Sequence, residues 1–339
     1  MKRKKGSRVT LKDVAEHAGV SLATASLIVR NSPNVSDKTR KKVLAVMDEL
    51  GYVYDRLAAN LRSKRSFTVG VIFTDIGNTF FANLLKGVNA VLEAEGYTVL
   101  LGTTFDSDEK QVKLLSTMLE HRVDGIILCP VSGSSKEPIE RIRKQEIPIV
   151  TAVREIDHLD CDYVGIHYSN GAKLAVNHLL ENGHNQIAFI GGRMESTAWQ
   201  QRVNGYREAF RQAGLEVNPS IIISTAPTRE GGSNGVRTLL SQGTPPKAVF
   251  CFNDLVALGV MESLRQSGLI PGKDIAVVGF DNIPEAEMTN PPLTTVSSFA
   301  HQIGSNAATL LHKRILNVER PTERIILDPE LIVRDSSLG

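Results

Sequence analysis

Apolar residues recur at helical spacing near the start of the chain, within the segment TLKDVAEHAGVSLATASLIVRN. Thr10 and Asp13 have the spacing of a capping box, which predicts that a helix begins here. Gly19 stands where the chain must turn, and Ser21 is a good N-cap for a second helix. The expected inward positions are apolar, namely Leu11, Val14, Ala15, Ala18, Ala25 and Val29. The pattern predicts a helix, a tight turn and a second helix.

A third helix is predicted from Ser36, its N-cap, to about Leu50, just before Gly51. The segment DRLAANLRS follows, and an isolated helix of this length is marginal in water. We therefore expect a helix-turn-helix domain over residues 1–54 and a hinge helix or linker over residues 55–66.

After residue 66 the pattern changes to short β-rich runs that alternate with amphipathic segments. The runs are SFTVGVIFT, YTVLLGTT, VDGIILCP, PIVTAV, YVGI, QIAFIGG, AVFCF and DIAVVGF. Strands that alternate with helices form parallel sheets with helices on both faces. Residues 67–339 are therefore expected to form an α/β body of two doubly wound parallel-sheet subdomains. A ligand is expected in the cleft at the carboxyl ends of the strands.

Charge is distributed unevenly along the chain, although the formal net charge is only +2. Residues 1–66 contain 15 Lys and Arg but 6 Asp and Glu, whereas the remainder contains 24 basic and 31 acidic residues. A basic head on an acidic body is the electrostatic footprint of a protein that binds nucleic acid at one end. Together with the helix pattern, it indicates a reader of double-stranded DNA.

Other function classes find little support in the sequence. No run approaches the ~18 apolar residues of a transmembrane helix, and no apolar region follows the basic start as in a secretory signal. The three cysteines are scattered, so we expect reduced thiols in a cytoplasmic protein. Walker A, G-x-S-x-G and paired-histidine metal motifs are absent, which argues against an enzyme. We expect neither a cofactor nor a bound metal.

The motifs LKDVAEHAGVS, SDKTRKKVLAVMDELGY and LAANLRS resemble the head of the lactose repressor and galactose repressor family of bacterial transcription regulators. NHLLENGHNQIAFIGG and VVGFDNIPEAEMTNPPLTTV extend the resemblance through the body. It implies a ligand-responsive, sequence-specific repressor that binds a pseudo-palindromic operator as a homodimer. The body should then be periplasmic-binding-protein-like, with subdomains of about 67–161 plus 293–322 and 162–290 plus 323–339.

The same resemblance implies which residues contact DNA. Leu22, Ala23 and Leu27 occupy base-reading positions, where their side chains offer only apolar contact, for example to thymine methyl groups. DNA shape should therefore carry more of the specificity. Leu61 holds the hinge position of a leucine that inserts between base pairs in the minor groove. The full expected set is Thr10, Ser21, Leu22, Ala23, Thr24, Ser26, Leu27, Arg30, Leu61 and Arg62.

Effector-binding positions are implied in the body as well. Phe80 and Phe81 offer aromatic surfaces on which a ligand could stack, with a core role as the less favoured alternative. The planar fork of Arg202 suits a hydroxyl pair or a carboxylate, with a structural ion pair as the alternative. Asn253 and Asp281 each follow a predicted strand, where a carboxylate can accept hydroxyl protons.

Two neighbours of these positions are expected to play structural roles. Asp254 is expected to cap the following helix rather than to bind ligand. Trp199, the single tryptophan, is expected to pack near the mouth of the cleft rather than to stack on a sugar.

The chain also departs from the sugar-binding pattern of the family. Val153 and Arg154 follow PIVTAV where many sugar-responsive members have an aspartate, and His167 replaces another aspartate. Residues that would indicate a purine effector are replaced at Ser196, Ala198 and Pro227. The expected effector is a sugar or sugar derivative, with a non-sugar ligand or a phosphoprotein corepressor as alternatives.

Overall fold

The chain folds as two compact units that divide between Ser66 and Phe67. A computed structural model describes residues 9–29, 32–53, 65–156, 158–243 and 245–338. The described part of the first unit is helical, and the second unit is α/β.

The described part of the first unit contains helices α1 (Leu11–Ala18), α2 (Leu22–Val29) and α3 (Asp37–Leu50). The predicted capping box is confirmed, because the Thr10 hydroxyl accepts from the Asp13 amide and the Asp13 carboxylate accepts from the Thr10 amide. Gly19 has a left-handed φ of 62° at the turn. Ile28, rather than the expected Val29, is buried with the other core residues Val14, Ala18, Val43 and Met47.

The first sheet of the second unit is entirely parallel. Its strands are β1 (Thr68–Phe73), β2 (Thr98–Thr103), β3 (Gly125–Leu128), β4 (Ile149–Ala152), β5 (Asp162–Ile166) and β11 (Arg324–Leu327). The strand order is β11-β5-β4-β3-β1-β2.

The second sheet is parallel apart from one edge strand. Its strands are β6 (Ile187–Ile190), β7 (Ile222–Ile223), β8 (Ala248–Cys251), β9 (Ala276–Asp281), β10 (Thr294–Ser297) and β12 (Glu330–Ile332). The order is β12-β10-β9-β8-β6-β7, and β12 runs antiparallel to β10. Strands β7, β10, β11 and β12 were not expected from the sequence. No residue of β7, β11 or β12 is fully buried, and β10 (TTVS) consists mainly of hydroxyl residues, so none of them forms a strongly apolar run.

Helices cover both faces of each sheet, as expected for a doubly wound fold. The helices of the first subdomain are α4 (Thr79–Ala94), α5 (Asp108–Glu120), α6 (Glu137–Arg143) and α12 (Ala300–Leu316). Those of the second are α7 (Tyr168–Glu181), α8 (Thr197–Gln212), α9 (Arg229–Ser241), α10 (Asp254–Gln266) and α11 (Glu285–Met288). Short 3-10 turns lie at Pro219–Ile221 and Asp335–Ser337.

Helices α4 and α12 pack closely on the first sheet because glycines lie at their crossing. A Cβ on Gly87 would lie 2.0 Å from the carbonyl oxygen of His301, and one on Gly304 would lie 2.0 Å from that of Leu84. Backbones that approach this closely leave no room for a side chain. The contact fixes α12 to the first subdomain, although the strand before it belongs to the second.

The subdomain limits drawn from the sequence are wrong for three strands. The expected limits assign β5 and β11 to the second subdomain and β10 to the first, whereas the sheets show the reverse. The chain passes between subdomains after β5, after β10 and again after β11. The physical reason for the β5 assignment is the buried carboxylate of Asp162, which accepts hydrogen bonds from Arg314 on α12 and from the Glu323 amide beside β11.

Two further expectations can be compared with the described residues. None of their helices combines the length and the apolar character needed to cross a bilayer. Cys129, Cys161 and Cys251 are buried and form no disulfide.

Candidate functional site

Helix α2 carries the exposed apolar residues predicted to read DNA bases. The side chains of Leu22 and Leu27 are 52% and 40% exposed, and Ala23 is exposed as well. Large apolar side chains are usually buried in the core of a domain. The exposure of Leu22 and Leu27 is therefore consistent with a surface that contacts another molecule.

The hydroxyl groups predicted to contact DNA are partly engaged within the protein. Ser21 caps α2, accepting from the Thr24 amide at 3.0 Å, and the two hydroxyls lie 2.8 Å apart. Thr10 caps α1, and Ser26 is partly buried. Arg30, Leu61 and Arg62 lie outside the described residues.

The predicted effector residues border one cavity between the two subdomains. The cavity is lined by all five of them, namely Phe80, Phe81, Arg202, Asn253 and Asp281. Its volume is about 90 Å³, well below the ~300–1,000 Å³ of typical small-molecule sites. The cleft is therefore closed in this conformation, and the subdomains must separate to admit a ligand of the size of a sugar.

Arg202 lies at the centre of this cavity inside an aromatic cage. Its guanidinium carbon is 4.0 Å from the ring centre of Phe280 and 4.5 Å from those of Tyr168 and Phe252. Nη1 donates to the carbonyl of Ala198 at 3.1 Å, whereas the buried Nε has no hydrogen-bond partner among the described residues. An arginine with unused buried donors suits a ligand that supplies oxygen acceptors.

Asp281 ends β9 and faces Arg202 across a distance too long for a hydrogen bond. Its Oδ1 is 3.9 Å from Nη2 of Arg202. Burial raises the pKa of Asp281 to about 7, although Arg202 acts in the opposite direction. The residue also has a φ of 115°, a conformation that side chains rarely adopt. A carboxyl group held this way can either accept or donate a hydrogen bond near neutral pH.

The expected capping role of Asp254 is wrong, because Asn253 caps α10. The side-chain oxygen of Asn253 accepts from the Val256 amide at 2.9 Å. The fully buried carboxylate of Asp254 instead accepts from the Ile283 amide and from the Thr295 hydroxyl. The extended backbone of Asn253 places the cap one residue earlier than expected. Asp254 thus supports the turn that follows Asp281.

The aromatic residues near the cavity are mostly buried. Phe80 and Phe81 pack edge to face, with ring centres 5.0 Å apart, and both still border the cavity. They therefore combine the core and lining roles that the sequence left as alternatives. Trp199 packs edge-on against Phe189 at 6.1 Å, as expected for a packing residue.

A charged cluster at the edge of the cavity was not identified from the sequence. Arg154, a cavity residue, donates from Nη1 to Asp106 at 2.6 Å and to the Pro130 carbonyl at 3.2 Å. Asp106 also accepts from the Ser132 amide, and Arg193 of the other subdomain lies 3.7 Å away. Burial acts to raise the pKa of Asp106, but Arg154 and Ser132 outweigh it and hold that pKa below its usual value.

The only sequence signal for this cluster was the arginine in place of an aspartate after β4. The long-range contacts of Asp106 and Arg193 left no local pattern. Among the described residues, no group of three or more His, Cys, Asp or Glu side chains could hold a metal ion.

Comparison with known proteins agrees with this two-part organisation. Residues 10–55 match the family described as bacterial regulatory proteins, lacI family, and residues 176–337 match the periplasmic binding protein-like domain. Catabolite control protein A of Priestia megaterium is 36% identical over 326 residues, which cover 96% of this chain and 97% of that protein.

Two solved structures are also similar over almost the full length. The lac repressor dimer bound to operator and the anti-inducer ONPF has a TM-score of 0.85 at 26% identity. The match covers 98% of this chain and 100% of that chain. A complex of the transcriptional regulator CelR with cellobiose has a TM-score of 0.74 at 31% identity, covering 97% and 100%.

Proposed function

The chain belongs to the lacI family of bacterial regulatory proteins, and we propose that a small sugar-like effector in the cavity around Arg202 controls it. As a member of that family it is a DNA-binding transcription regulator and not an enzyme. The regulator is a cytoplasmic repressor that binds a pseudo-palindromic operator as a homodimer, since twofold symmetry presents two equivalent reading helices. The lac repressor dimer bound to operator provides the precedent.

The observation that carries the effector proposal is the unsatisfied state of Arg202. Among the described residues the buried Nε of Arg202 has no hydrogen-bond partner, and the nearest carboxylate oxygen of Asp281 lies 3.9 Å from Nη2. A buried donor favours a partner that supplies an acceptor. A ligand with several oxygen atoms would satisfy these donors and could stack on the surrounding rings. Phe80, Phe81, Asn253 and Asp281 complete the proposed effector site.

Control of DNA binding follows from the position of the cavity between two subdomains. Contacts between described residues of the two subdomains include the Thr79 hydroxyl donating to Glu285 at 2.9 Å and Arg193 lying 3.7 Å from Asp106. An effector that prefers one degree of closure shifts the population toward it. In the homodimer this shift changes how well the hinge segments containing Leu61 bind DNA.

The effector site is tested on the full-length protein with an operator selected from random duplexes. Operator affinity is measured by fluorescence anisotropy with and without a panel of sugars and sugar derivatives. We expect a compound that changes the affinity of wild type and of the matched control Arg207→Gln, an exposed arginine of the same helix. Arg202→Gln should not respond. An Arg202→Gln variant that responds as wild type does would refute the site, and a response only to a phosphoprotein would favour a protein corepressor.

The hinge is tested separately with Leu61→Ala and, as its matched control, Leu57→Ala. Because a leucine inserted between bases stabilises only the bent operator complex, Leu61→Ala should weaken operator binding far more than nonspecific binding. An equal loss on both DNAs would contradict the wedge. The DNA-contact set, namely Thr10, Ser21, Leu22, Ala23, Thr24, Ser26, Leu27, Arg30, Leu61 and Arg62, stays part of this proposal.

A further inference from the structure

Two arginine side chains from opposite subdomains border the effector cavity. Arg154 follows β4 of the first sheet, and Arg202 lies on α8 of the second subdomain. Burial lowers the pKa of Arg202, Asp281 counteracts this, and the positive charge of Arg154 lowers it further. Arg154 is paired with Asp106 at 2.6 Å, and Arg202 has Asp281 at 3.9 Å. Because both cations border the same cavity, an anionic group bound between them would be attracted by both.

Both guanidinium groups also keep hydrogen-bond donors in reserve. The hydrogen bonds that Arg154 donates to described residues both start at Nη1, which leaves Nη2 and Nε. Among the described residues, Arg202 donates from Nη1 to the Ala198 carbonyl, and its Nε has no partner. A guanidinium carries five N–H donors in a planar fork, which matches paired carboxylate or phosphate oxygens better than single hydroxyl groups.

The carboxylates that line the same cavity, which are the strongest acceptors for the hydroxyl protons of a neutral sugar, already have neighbours. The lining carboxylates are Asp75, which already accepts from the Gly77 amide at 2.8 Å, and Asp281, which faces Arg202. The position after β4 that carries an aspartate in the sugar-responsive pattern is held by Val153 and Arg154. Each lining arginine has N–H donors without a described partner, whereas one lining carboxylate is already hydrogen-bonded and the other faces Arg202.

Building on the proposed function, we infer that the effector is a small polyhydroxylated acid whose oxyanion binds between Arg154 and Arg202. The remainder of the ligand packs against the rings of Phe80 and Phe252, which border the same space. The shared chemistry is an oxyanion, carried either by a carboxylate, as in a sugar acid, or by a phosphate ester. An anion that bridges arginines of both subdomains also favours cleft closure.

The inference is tested by titration calorimetry of the full-length protein with matched ligand series. Each series contains a neutral sugar, its aldonate, its uronate and its 6-phosphate, beginning with those of glucose and galactose. An acid is expected to bind at least ~100-fold more tightly than its neutral parent, about 2.7 kcal/mol. Carboxylate binders would assign a sugar acid, and phosphate binders a sugar phosphate.

The failures of the two proposals are distinguishable. A neutral sugar that binds as tightly as its acids would overturn the oxyanion inference and leave the sugar-like effector standing. If no member of any series binds or alters operator affinity, both proposals fail.

Variants of Arg154 test the residue itself. Arg154→Gln should reduce the preference for the acid over its neutral parent at least tenfold, because it removes the charge. Arg154→Lys keeps the charge and should retain part of the preference, and the exposed control Arg207→Gln should retain all of it. Cooperative thermal unfolding confirms that each variant is folded. A folded Arg154→Gln protein with the wild-type preference would overturn the role of Arg154, and Arg154→Lys provides the same test should the glutamine variant not fold.

Discussion

Two buried aspartate–arginine pairs, one in each subdomain, differ in how completely they are satisfied. The carboxylate of Asp162 accepts from Nε and Nη2 of Arg314 at 2.9 Å each and from the Glu323 amide at 2.7 Å. Asp281 lies 3.9 Å from the nearest nitrogen of Arg202, whose Nε has no partner among the described residues.

The positions of the two pairs explain the difference. Asp162 begins β5 and fixes that strand beside β11, whereas Asp281 ends β9 and faces the cavity between the subdomains. The same two residue types thus form a structural centre where every donor of Arg314 is used, and the proposed effector site, where the Nε of Arg202 has no partner among the described residues. Stability measurements should separate the two roles.

The largest effect is expected from breaking the satisfied pair. Asp162→Ala leaves the buried guanidinium of Arg314 without its carboxylate, which should cost about 3–5 kcal/mol of unfolding free energy. Urea unfolding of the full-length protein measures the loss. The matched control is Asp160→Ala, an exposed aspartate nearby that bonds Thr322 and should cost below ~1 kcal/mol. Equal losses in the two variants would contradict the structural role of Asp162.

The unsatisfied pair should make stability depend on pH. Because the pKa of Asp281 is about 7 in the folded protein and about 3.9 in an unfolded chain, the folded state binds more protons between these values. The contribution of the Asp281 carboxyl group to the unfolding free energy is therefore complete below about pH 4 and is lost as the pH rises through 7. Relative to Asp281→Asn, wild type should lose about 2–3 kcal/mol of unfolding free energy between pH 5 and 8.

Other ionisable groups near Asp281 are present in both proteins of that comparison. They are Arg202, Asp254, Tyr168 and, across a neighbouring cavity, His301. The difference between wild type and Asp281→Asn therefore isolates the carboxyl group of Asp281. Identical pH profiles in the two proteins would show that Asp281 does not titrate in this range.

Effector affinity should fall when the Asp281–Arg202 pair is changed and should be maintained when the Asp162–Arg314 pair is changed. Arg202→Gln should weaken effector binding by at least ~10-fold, about 1.4 kcal/mol, because it removes charged donors from the cavity. Arg314→Gln should reduce stability while leaving effector affinity in the folded protein within about twofold. Calorimetric titration of both variants provides the comparison. A large loss of effector affinity in Arg314→Gln would contradict the proposed division between a structural pair and a binding pair.

The smallest effect is expected at the rim of the cleft. Arg193 is half exposed and 3.7 Å from Asp106, so Arg193→Gln should change the unfolding free energy by at most ~0.5 kcal/mol. Thermal unfolding in low and high salt measures this change. A loss of unfolding free energy above ~2 kcal/mol would indicate that the Arg193–Asp106 contact stabilises the fold as a buried ion pair does.

Local features of the fold were predictable from the sequence. The caps at Thr10 and Ser36 and the turn at Gly19 depend on residues a few positions apart, and the structure confirms them. The amphipathic segments expected between the strands include α4 and α5, because periodicity over thirteen or more residues is a strong signal. Fold class followed from the alternation of strands and helices.

Long-range features were not predictable in the same way. The sheet membership of β5, β10 and β11 depends on contacts such as Asp162 with Arg314, which lie far apart in the chain. The resemblance suggested Arg202 and Asp281 for the site, but the contribution of Arg154 required the fold, which brings Asp106 and Pro130 against it. The proposed site rests on the Nε of Arg202, which has no hydrogen-bond partner among the described residues. A feature of this kind produces no sequence pattern.

The most direct test of the account is a structure of the full-length protein with its tightest-binding effector. The account predicts ligand oxygens at charge-assisted hydrogen-bond distance, about 2.7–2.9 Å, from Arg202. For an acidic effector, the oxyanion should also contact Arg154. A ligand bound elsewhere, with the Nε of Arg202 still without a partner and Nη2 still 3.9 Å from Asp281, would exclude this site.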